Sequence, residues 1–159
     1  MQGDPEVLKL LNEQLTSELT AINQYFLHSK MQDNWGFTEL AEHTRKESFE
    51  EMVHAEEITD RILILDGLPN YQRLFSLRVG QTVREQFEAD LEIEKEVVAR
   101  LKPGIIMCRE KGDATSANLF EKILADEELH IDYLETQLDL MNKLGEGLYL
   151  SQCVSRPPQ

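Results

Sequence analysis

The pattern Glu-x-x-His occurs twice in the chain, as Glu51-Met52-Val53-His54 and as Glu127-Glu128-Leu129-His130. Residues three apart lie on the same face of a helix, so the carboxylate and the imidazole of each segment can reach one point. One such match has little weight in a chain with 30 acidic residues. The two segments, however, are offset by 76 residues, and the same offset relates Glu18 to Glu94. This spacing points to a duplicated unit with polar residues at matching places.

Glu18 and Glu94 both fall within apolar helical stripes instead of on charged faces. The face of Glu18 carries Leu11, Leu15, Ile22 and Tyr25, and the face of Glu94 carries Phe87, Leu91, Val98 and Leu101. Two hairpins packed about a pseudo-twofold axis would bring these glutamates and both Glu-x-x-His segments to the centre of a bundle. Buried carboxylates without compensation would each cost several kcal/mol, so they must take up protons or bind cations.

The six central residues match a pair of divalent metal ions in charge. Four carboxylates and two such ions sum to zero, and two neutral imidazoles complete the ligand shells. The predicted ligands are Glu18 and His54 on one ion, Glu94 and His130 on the other, and Glu51 and Glu127 as bridges. Oxygen and imidazole ligands without thiolate favour iron or manganese and tolerate zinc, so the sequence alone does not select the metal.

Apolar periodicity, caps and turn residues predict four long helices and a short tail helix. The predicted ranges are residues 5–33, 38–65, 82–111, 114–144 and about 147–153. Pro103-Gly104 is expected to kink or loosen the end of the third helix. The non-periodic segment 66–81 is long enough to cross the length of the bundle, which makes the second and third helices parallel. We therefore predict an all-α fold, a four-helix bundle with one long crossover in a single domain over residues 1–159.

The composition argues against several classes of function. A net charge of −14 disfavours a nucleic-acid partner, because a phosphate backbone needs a basic surface, and it favours cations instead. No apolar run approaches the ~20 residues of a membrane span, and the first residues lack the pattern of a signal peptide. Cys108 and Cys153 have no paired spacing, so neither a disulfide framework nor a zinc-thiolate site is expected, and a reducing cytoplasm fits.

With these residues in view, the chain resembles the bacterioferritins over nearly its whole length. The similarity includes Leu19-Thr20-Ala21-Ile22-Asn23-Gln24-Tyr25-Phe26-Leu27-His28, the segments 34–36, 65–70, 126–128 and 130–132, and the six predicted ligands. The resemblance implies a ferritin-like bundle with a di-iron ferroxidase centre that uses O2 or H2O2. It implies a ferric mineral inside a hollow 24-mer built from dimers. It also implies haem b shared by two chains and electron transfer for iron release, for which a ferredoxin is a possible partner.

The resemblance gives roles to two further residues. Met52 matches the haem ligand of the family and points about 100° away from Glu51 on the helix, toward a lateral face. Tyr25 matches a tyrosine beside the di-iron site and would act as a one-electron donor, although a core aromatic with a bonded hydroxyl is the alternative. Lys46 departs from the family, which often has a histidine there as part of an inner-surface iron site, and a charged lysine is a poor iron ligand.

Two other functions fit a helical bundle of this kind. One is a di-iron or di-manganese enzyme, either a rubrerythrin-type peroxidase, which the lack of a Cys-x-x-Cys segment disfavours, or a manganese catalase. The other is a non-catalytic interaction bundle akin to a helical cytokine, which predicts neither metal nor a large assembly. In each case His28 and His43, which lack a paired glutamate, are interpreted as structural or surface residues.

Overall fold

The computed structural model describes residues 1–155 of the chain. Its helices are α1 (Pro5–Asn34), α2 (Thr38–Ile64), α3 (Val83–Glu110), α4 (Ala114–Leu144) and α5 (Glu146–Ser151). No strand is present among these residues. The predicted all-α class, with a long crossover and a short fifth helix, is confirmed. Residues 156–159, which the predicted single domain includes, lie outside the described residues.

Local side chains set the helix starts and the turns between helices. Asp4 accepts hydrogen bonds from two amides in the first turn of α1, and Pro5 takes the first helical position, where no amide is needed. Asp113 caps α4 by accepting a hydrogen bond from the amide of Ser116. Gly112, between α3 and α4, has a φ of 76°, which glycine adopts without steric cost. α1 packs mainly against α2, and α3 packs mainly against α4, so the four long helices form two hairpins.

The pair Pro103-Gly104 lies inside α3, which continues to Glu110. Gly104 packs against Leu10 of α1, and a Cβ at this glycine would come within 2.7 Å of the Leu10 side chain. The absent side chain therefore lets α1 and α3 approach closely. This packing supports the last turns of α3 past the proline, because tertiary contacts contribute most of the stability of a helix.

The crossover between α2 and α3 runs beside α1 and in the same direction. Three side chains of α1 accept hydrogen bonds from crossover amides, namely Thr20 from Phe75 (2.9 Å), Gln24 from Arg78 (2.8 Å) and His28 from Gly80 (3.0 Å). Because residues four apart lie along one side of a helix, α1 holds the crossover over two turns. The chain thus returns to the end of the bundle where α2 begins, and α2 and α3 are parallel.

Two apolar clusters occupy opposite ends of the bundle interior, and a polar layer separates them. Along α2 and α4, one cluster contains Ile58, Ile62, Phe120 and Ile123, and the other contains Leu40, Leu134 and Met141. The buried Glu and His residues of the two Glu-x-x-His segments lie between these groups on both helices. Within residues 1–155, no helix combines the length and the apolar character needed to cross a bilayer.

Candidate metal centre

The six predicted ligands come from all four long helices, and all are buried and close in space. They are Glu18 from α1, Glu51 and His54 from α2, Glu94 from α3, and Glu127 and His130 from α4. Their donor atoms form two groups, and within each group the atoms lie within 4.8 Å of one another. Glu51 and Glu127 belong to both groups. The structure therefore brings the six residues together in the arrangement that the repeat predicts.

Each shared glutamate directs one oxygen toward each histidine. Glu51 places Oε2 3.4 Å from His54 Nδ1 and Oε1 3.0 Å from His130 Nδ1. Glu127 places Oε1 3.0 Å from His54 Nδ1 and Oε2 3.5 Å from His130 Nδ1. A carboxylate whose two oxygens face two different imidazoles is suited to bridge two cations.

The two unshared glutamates each have one oxygen held by a neighbouring side chain. Glu18 accepts a hydrogen bond at Oε1 from the amide of Gln14 (2.7 Å), and its Oε2 faces the centre. Glu94 accepts a hydrogen bond at Oε1 from the Tyr25 hydroxyl (2.5 Å). Gln14 was not predicted as part of the site, although its position one helical turn before Glu18 could have indicated it. Gln14 and Tyr25 therefore orient the terminal carboxylates.

Several buried polar atoms of the centre have no hydrogen-bond partner within residues 1–155. They are Oε2 of Glu18, Oε1 of Glu51, Oε2 of Glu94, both carboxylate oxygens of Glu127 and Nδ1 of His130. The close approaches between these atoms lack hydrogen-bond geometry. Because buried polar atoms are nearly always satisfied in folded proteins, so many exceptions around one point mark a place that divalent cations would complete.

Burial and mutual repulsion shift the pKa values of the cluster. Burial, reinforced by repulsion from Glu51, raises the pKa of Glu18, and burial with repulsion from Glu127 and Glu51 raises that of Glu94. Burial lowers the pKa of His54, but hydrogen bonds with Glu127, Glu18 and Glu51 outweigh it, so that pKa is raised overall. Without cations, protons therefore compensate the carboxylates, and cations would have to displace them.

The second nitrogen of each histidine faces a surface cavity of about 410 Å³ between α2 and α4. His54 Nε2 lies 2.8 Å from Asp126 Oδ2, whereas His130 Nε2 lies 2.6 Å from Glu47 Oε2 and 3.1 Å from Glu50 Oε2. These outer contacts were not predicted. Asp126 and Glu50 immediately precede the two shared glutamates and obey the same offset of 76 residues, which was the available signal.

Met52 lies apart from the cluster on the exposed surface of α2, with 49% of its surface accessible. Phe26 and Phe49 are also exposed, and the guanidinium of Arg45 lies 5.6 Å from the centre of each ring. Phe49 and Met52 are three residues apart on α2, so this face of the helix presents an exposed apolar surface.

The other residues singled out from the sequence have structural contacts. His28 is fully buried, with Nδ1 2.9 Å from Asp90, so the structural interpretation fits its place beneath the crossover. His43 stacks on a tyrosine ring and contacts Glu47 at 3.1 Å. Lys46 Nζ lies 3.9 Å from Glu50, so this lysine faces a carboxylate at the rim of the cavity.

Comparison with known proteins gives a family to this fold and site. The ferritin-like domain family matches residues 8–144. A bacterioferritin of Mycolicibacterium paratuberculosis is 83% identical over 158 residues, which cover 99% of each chain. The structure of bacterioferritin BfrA from Mycobacterium tuberculosis is 82% identical, with a TM-score of 0.98 and 100% of each chain covered. A third relative, Rhodobacter capsulatus bacterioferritin, has a structure with a metal-free dinuclear site and a haem iron in a crystallographic special position; it is 42% identical, with a TM-score of 0.97 over 100% of this chain and 99% of that one. The chain therefore belongs to the bacterioferritins, within the ferritin-like domain family.

Proposed function

We propose that the chain is the ferroxidase subunit of an iron-storage shell. It binds two Fe(II) ions at the central cluster, oxidises them with O2 or H2O2, and releases Fe(III) to a mineral in the cavity of a 24-mer. The observation that carries this proposal is the pair of shared glutamates, each with its two oxygens directed at different imidazoles. Membership of the bacterioferritins supports iron storage as the role.

The charge of the cluster supports Fe(II) as the substrate. Four carboxylates and two Fe(II) ions sum to zero, and the protons that now compensate the carboxylates leave as iron enters. Each ion gives up one electron on oxidation. O2 takes two electrons and two protons to become H2O2, and H2O2 in turn takes two electrons and two protons to give water. The ferric products carry two more positive charges than the cluster balances, which favours their hydrolysis and departure.

The cavity between α2 and α4 offers iron a route to and from the centre. The cavity is lined by residues that include Glu47, Glu50, Glu57, Asp126 and His130. It therefore opens beside Nε2 of His130. A cleft lined by charges of one sign raises the local concentration of the opposite ion. This lining therefore supports passage of Fe(II) through the cavity.

We also propose that Tyr25 supplies one electron when only one Fe(II) ion is bound, so that this ion and the tyrosine together give the two electrons that O2 or H2O2 takes. Burial, with repulsion from Glu94, raises the pKa of its phenol, so the hydroxyl keeps its proton near neutral pH. The hydroxyl donates to Glu94 Oε1 at 2.5 Å, and Glu94 is thus placed to accept the proton when the ring loses an electron. The same contact orients Glu94 as a ligand.

Met52 would hold haem b at a twofold contact, with one thioether from each of two chains. The bound haem would supply one-electron transfer, and we propose that it serves reduction of the mineral for iron release, with a ferredoxin as donor. The exposed side chains of Phe26, Phe49 and Met52 would be covered in such a dimer. We place the shell in the cytoplasm, because Cys108 and Cys153 are free and buried thiols.

Size-exclusion chromatography with iron, manganese and O2 measurements on each fraction tests this proposal. A shell of 24 chains of 18.4 kDa is expected at roughly 440 kDa, with Fe(II) oxidation and O2 uptake in the same fraction. A manganese catalase would instead contain manganese and evolve O2 from H2O2. A cytokine-like bundle would elute as a small, metal-free species. Either of the last two results would reject the proposal.

Substitution of the unshared ligands tests the site itself. Glu18→Ala and Glu94→Ala should slow rapid Fe(II) oxidation at least ~100-fold, because each removes a direct ligand, and should leave the shell assembled. Glu92→Ala is the matched control, since Glu92 is an exposed carboxylate two residues from Glu94 on α3. Unchanged oxidation by the ligand variants would refute the assignment.

A further inference from the structure

In both histidines of the centre, Nδ1 faces the glutamates of the central cluster. Nε2 lies next to a carboxylate on the side of the cavity between α2 and α4. For His54 this carboxylate is Asp126, at 2.8 Å. For His130 there are two, Glu47 at 2.6 Å and Glu50 at 3.1 Å. An imidazole that donates its second N–H to a carboxylate is fixed in tautomer and orientation, and it becomes a more basic metal ligand.

Of these three outer carboxylates, two are related by the duplication and the third has no counterpart. Asp126 and Glu50 occupy equivalent positions, each one residue before a bridging glutamate. Glu47 has no carboxylate counterpart, because the equivalent residue in the second half of the chain is Ile123, which is fully buried in the apolar core. The pseudo-twofold symmetry of the six ligands is therefore broken in the layer around them.

The additional carboxylate is also the most sheltered of the three. The side chain of Glu47 is 11% exposed, compared with 45% for Asp126 and 43% for Glu50. Solvent screens a sheltered charge less, so the Glu47 carboxylate, 2.6 Å from His130 Nε2, attracts that imidazole more strongly than the exposed Asp126 carboxylate attracts His54. His130 also has one more negative charge beside it than His54.

We infer that the two metal positions are unequal. The position formed with Glu94 and His130 binds a divalent cation more tightly and fills before the position formed with Glu18 and His54. Glu47 is the positioning residue for His130, and Asp126 is the positioning residue for His54. This inference rests on the proposed function, because it takes the six buried side chains as the ligands.

Titration of the iron-free shell with Co(II), followed by its visible absorption, measures the two positions without turnover. The wild-type chain should bind two ions in steps whose affinities differ about tenfold or more. Glu47→Gln should weaken the first step about 10–100-fold and bring the two steps together. Asp126→Asn should weaken only the second step and so separate the steps further. Both substitutions keep the side-chain volume, and circular dichroism of the metal-free shells checks that the helices are retained.

Two further variants separate positioning from a general loss of charge. Glu56→Gln removes an exposed carboxylate of α2 that lies outside the cavity lining, and both steps should stay unchanged. Asp126→Glu, which retains a carboxylate, should restore part of the second step. Equal steps in the wild type, or an effect of Glu47→Gln confined to the second step, would overturn the inference while keeping the ligand set. Failure of the wild-type chain to bind Co(II) at all would instead count against the proposed function.

Discussion

At the scale of the residue, the side chains of the centre oppose the fold unless something neutralises them. Glu18 and Glu94 are buried with pKa values raised by burial and by their neighbours, and His54 is held charged by the carboxylates around it. A core selected only for stability would place apolar side chains here. In the metal-free chain, protons neutralise the carboxylates in place of cations. The free-energy cost of burying these polar side chains is what one expects of a site that is kept for function.

Met52 provides a test at this scale that is independent of the proposed metal ligands. Met52→Leu removes the thioether and keeps a similar apolar volume, so the shell should lose haem and retain Fe(II) oxidation. Haem absorbance per chain and O2 uptake measure the two properties separately. Met107→Leu is the control, because Met107 packs against the core of its own chain. Haem retained at the wild-type level in Met52→Leu would reject this ligand.

Tyr25→Phe tests whether the phenol does more than fill space. The ring stays in the core, but Glu94 loses the hydrogen bond to Oε1, which should lower the free energy of unfolding by about 1–3 kcal/mol. Oxidation should slow, and a tyrosyl radical signal seen during turnover of the wild type should be lost. Thermal unfolding and electron paramagnetic resonance measure these effects. A full radical signal in Tyr25→Phe would assign the radical to another residue.

The six residues of the central cluster could be predicted from the sequence because each has a counterpart of the same type 76 residues away. The outer contacts could not be derived in the same way. Glu47 is paired in sequence with Ile123, so the repeat gives no sign of its role, and its contact with His130 depends on how α2 and α4 pack. Asp126 obeys the offset, but an acidic residue on a charged helix has no distinguishing mark until its distance to His54 is known.

At the scale of the element, the sequence predicts a helix end where a nearby side chain caps it. The sequence does not predict the path of the crossover. Asp4 and Asp113 mark helix starts in the sequence because a cap needs only its own first turn. The crossover is positioned by Thr20, Gln24 and His28, whose bonds join residues more than 50 positions apart. No local pattern encodes such contacts, so only its length and its direction could be inferred.

Asp113 joins two elements, which makes it a test at this scale. It caps α4 through Ser116 and accepts a hydrogen bond from Arg61 near the end of α2 at 2.8 Å. Asp113→Ala should lower the free energy of unfolding by about 2 kcal/mol, seen as a lower melting temperature at fixed iron content. Asp132→Ala, an exposed substitution within α4, should change it by less than about 0.5 kcal/mol.

The effect of Asp113→Ala should also depend on pH. Burial opposes ionisation of Asp113, but its bonds with Ser116 and Arg61 outweigh burial and lower its pKa below the ordinary value of 3.8. Its stabilising contribution is therefore present above that ordinary value and is lost as the pH falls through the lowered one. Equal melting temperatures of the variant and the wild type near neutral pH would contradict the capping role.

At the scale of the whole molecule, the bundle tolerates its polar centre because apolar clusters lie on both sides of it. Ile58 and Phe120 belong to one cluster, and Leu134 and Met141 to the other. Each hairpin is thus held at both ends, and the ligand layer can remain poorly compensated without opening the fold. The net charge of −14 acts over the same scale, since it favours cations at every acidic surface.

The stability of the metal-free and metal-loaded shells should diverge as the pH rises. The folded-state pKa of His54 and of His130 lies above the ordinary 6.5, so their contribution is full below that value and is lost at higher pH. The raised pKa values of Glu18 and Glu94 act in the same direction above about 4.5, the ordinary value. The metal-free shell should therefore weaken between about pH 5 and 8.

Zn(II), which has no redox chemistry, replaces the protons and should reverse this trend. Its binding releases protons and strengthens with pH, so the melting temperature of the loaded shell should rise above that of the metal-free shell by an increasing margin. At a free concentration one hundred times the dissociation constant, one site adds about 2.7 kcal/mol. Scanning calorimetry at several pH values measures the margin, and a Glu18→Ala, Glu94→Ala double variant should lose most of it. Melting curves that stay parallel across this range in the wild type would show that the buried cluster does not exchange protons for cations.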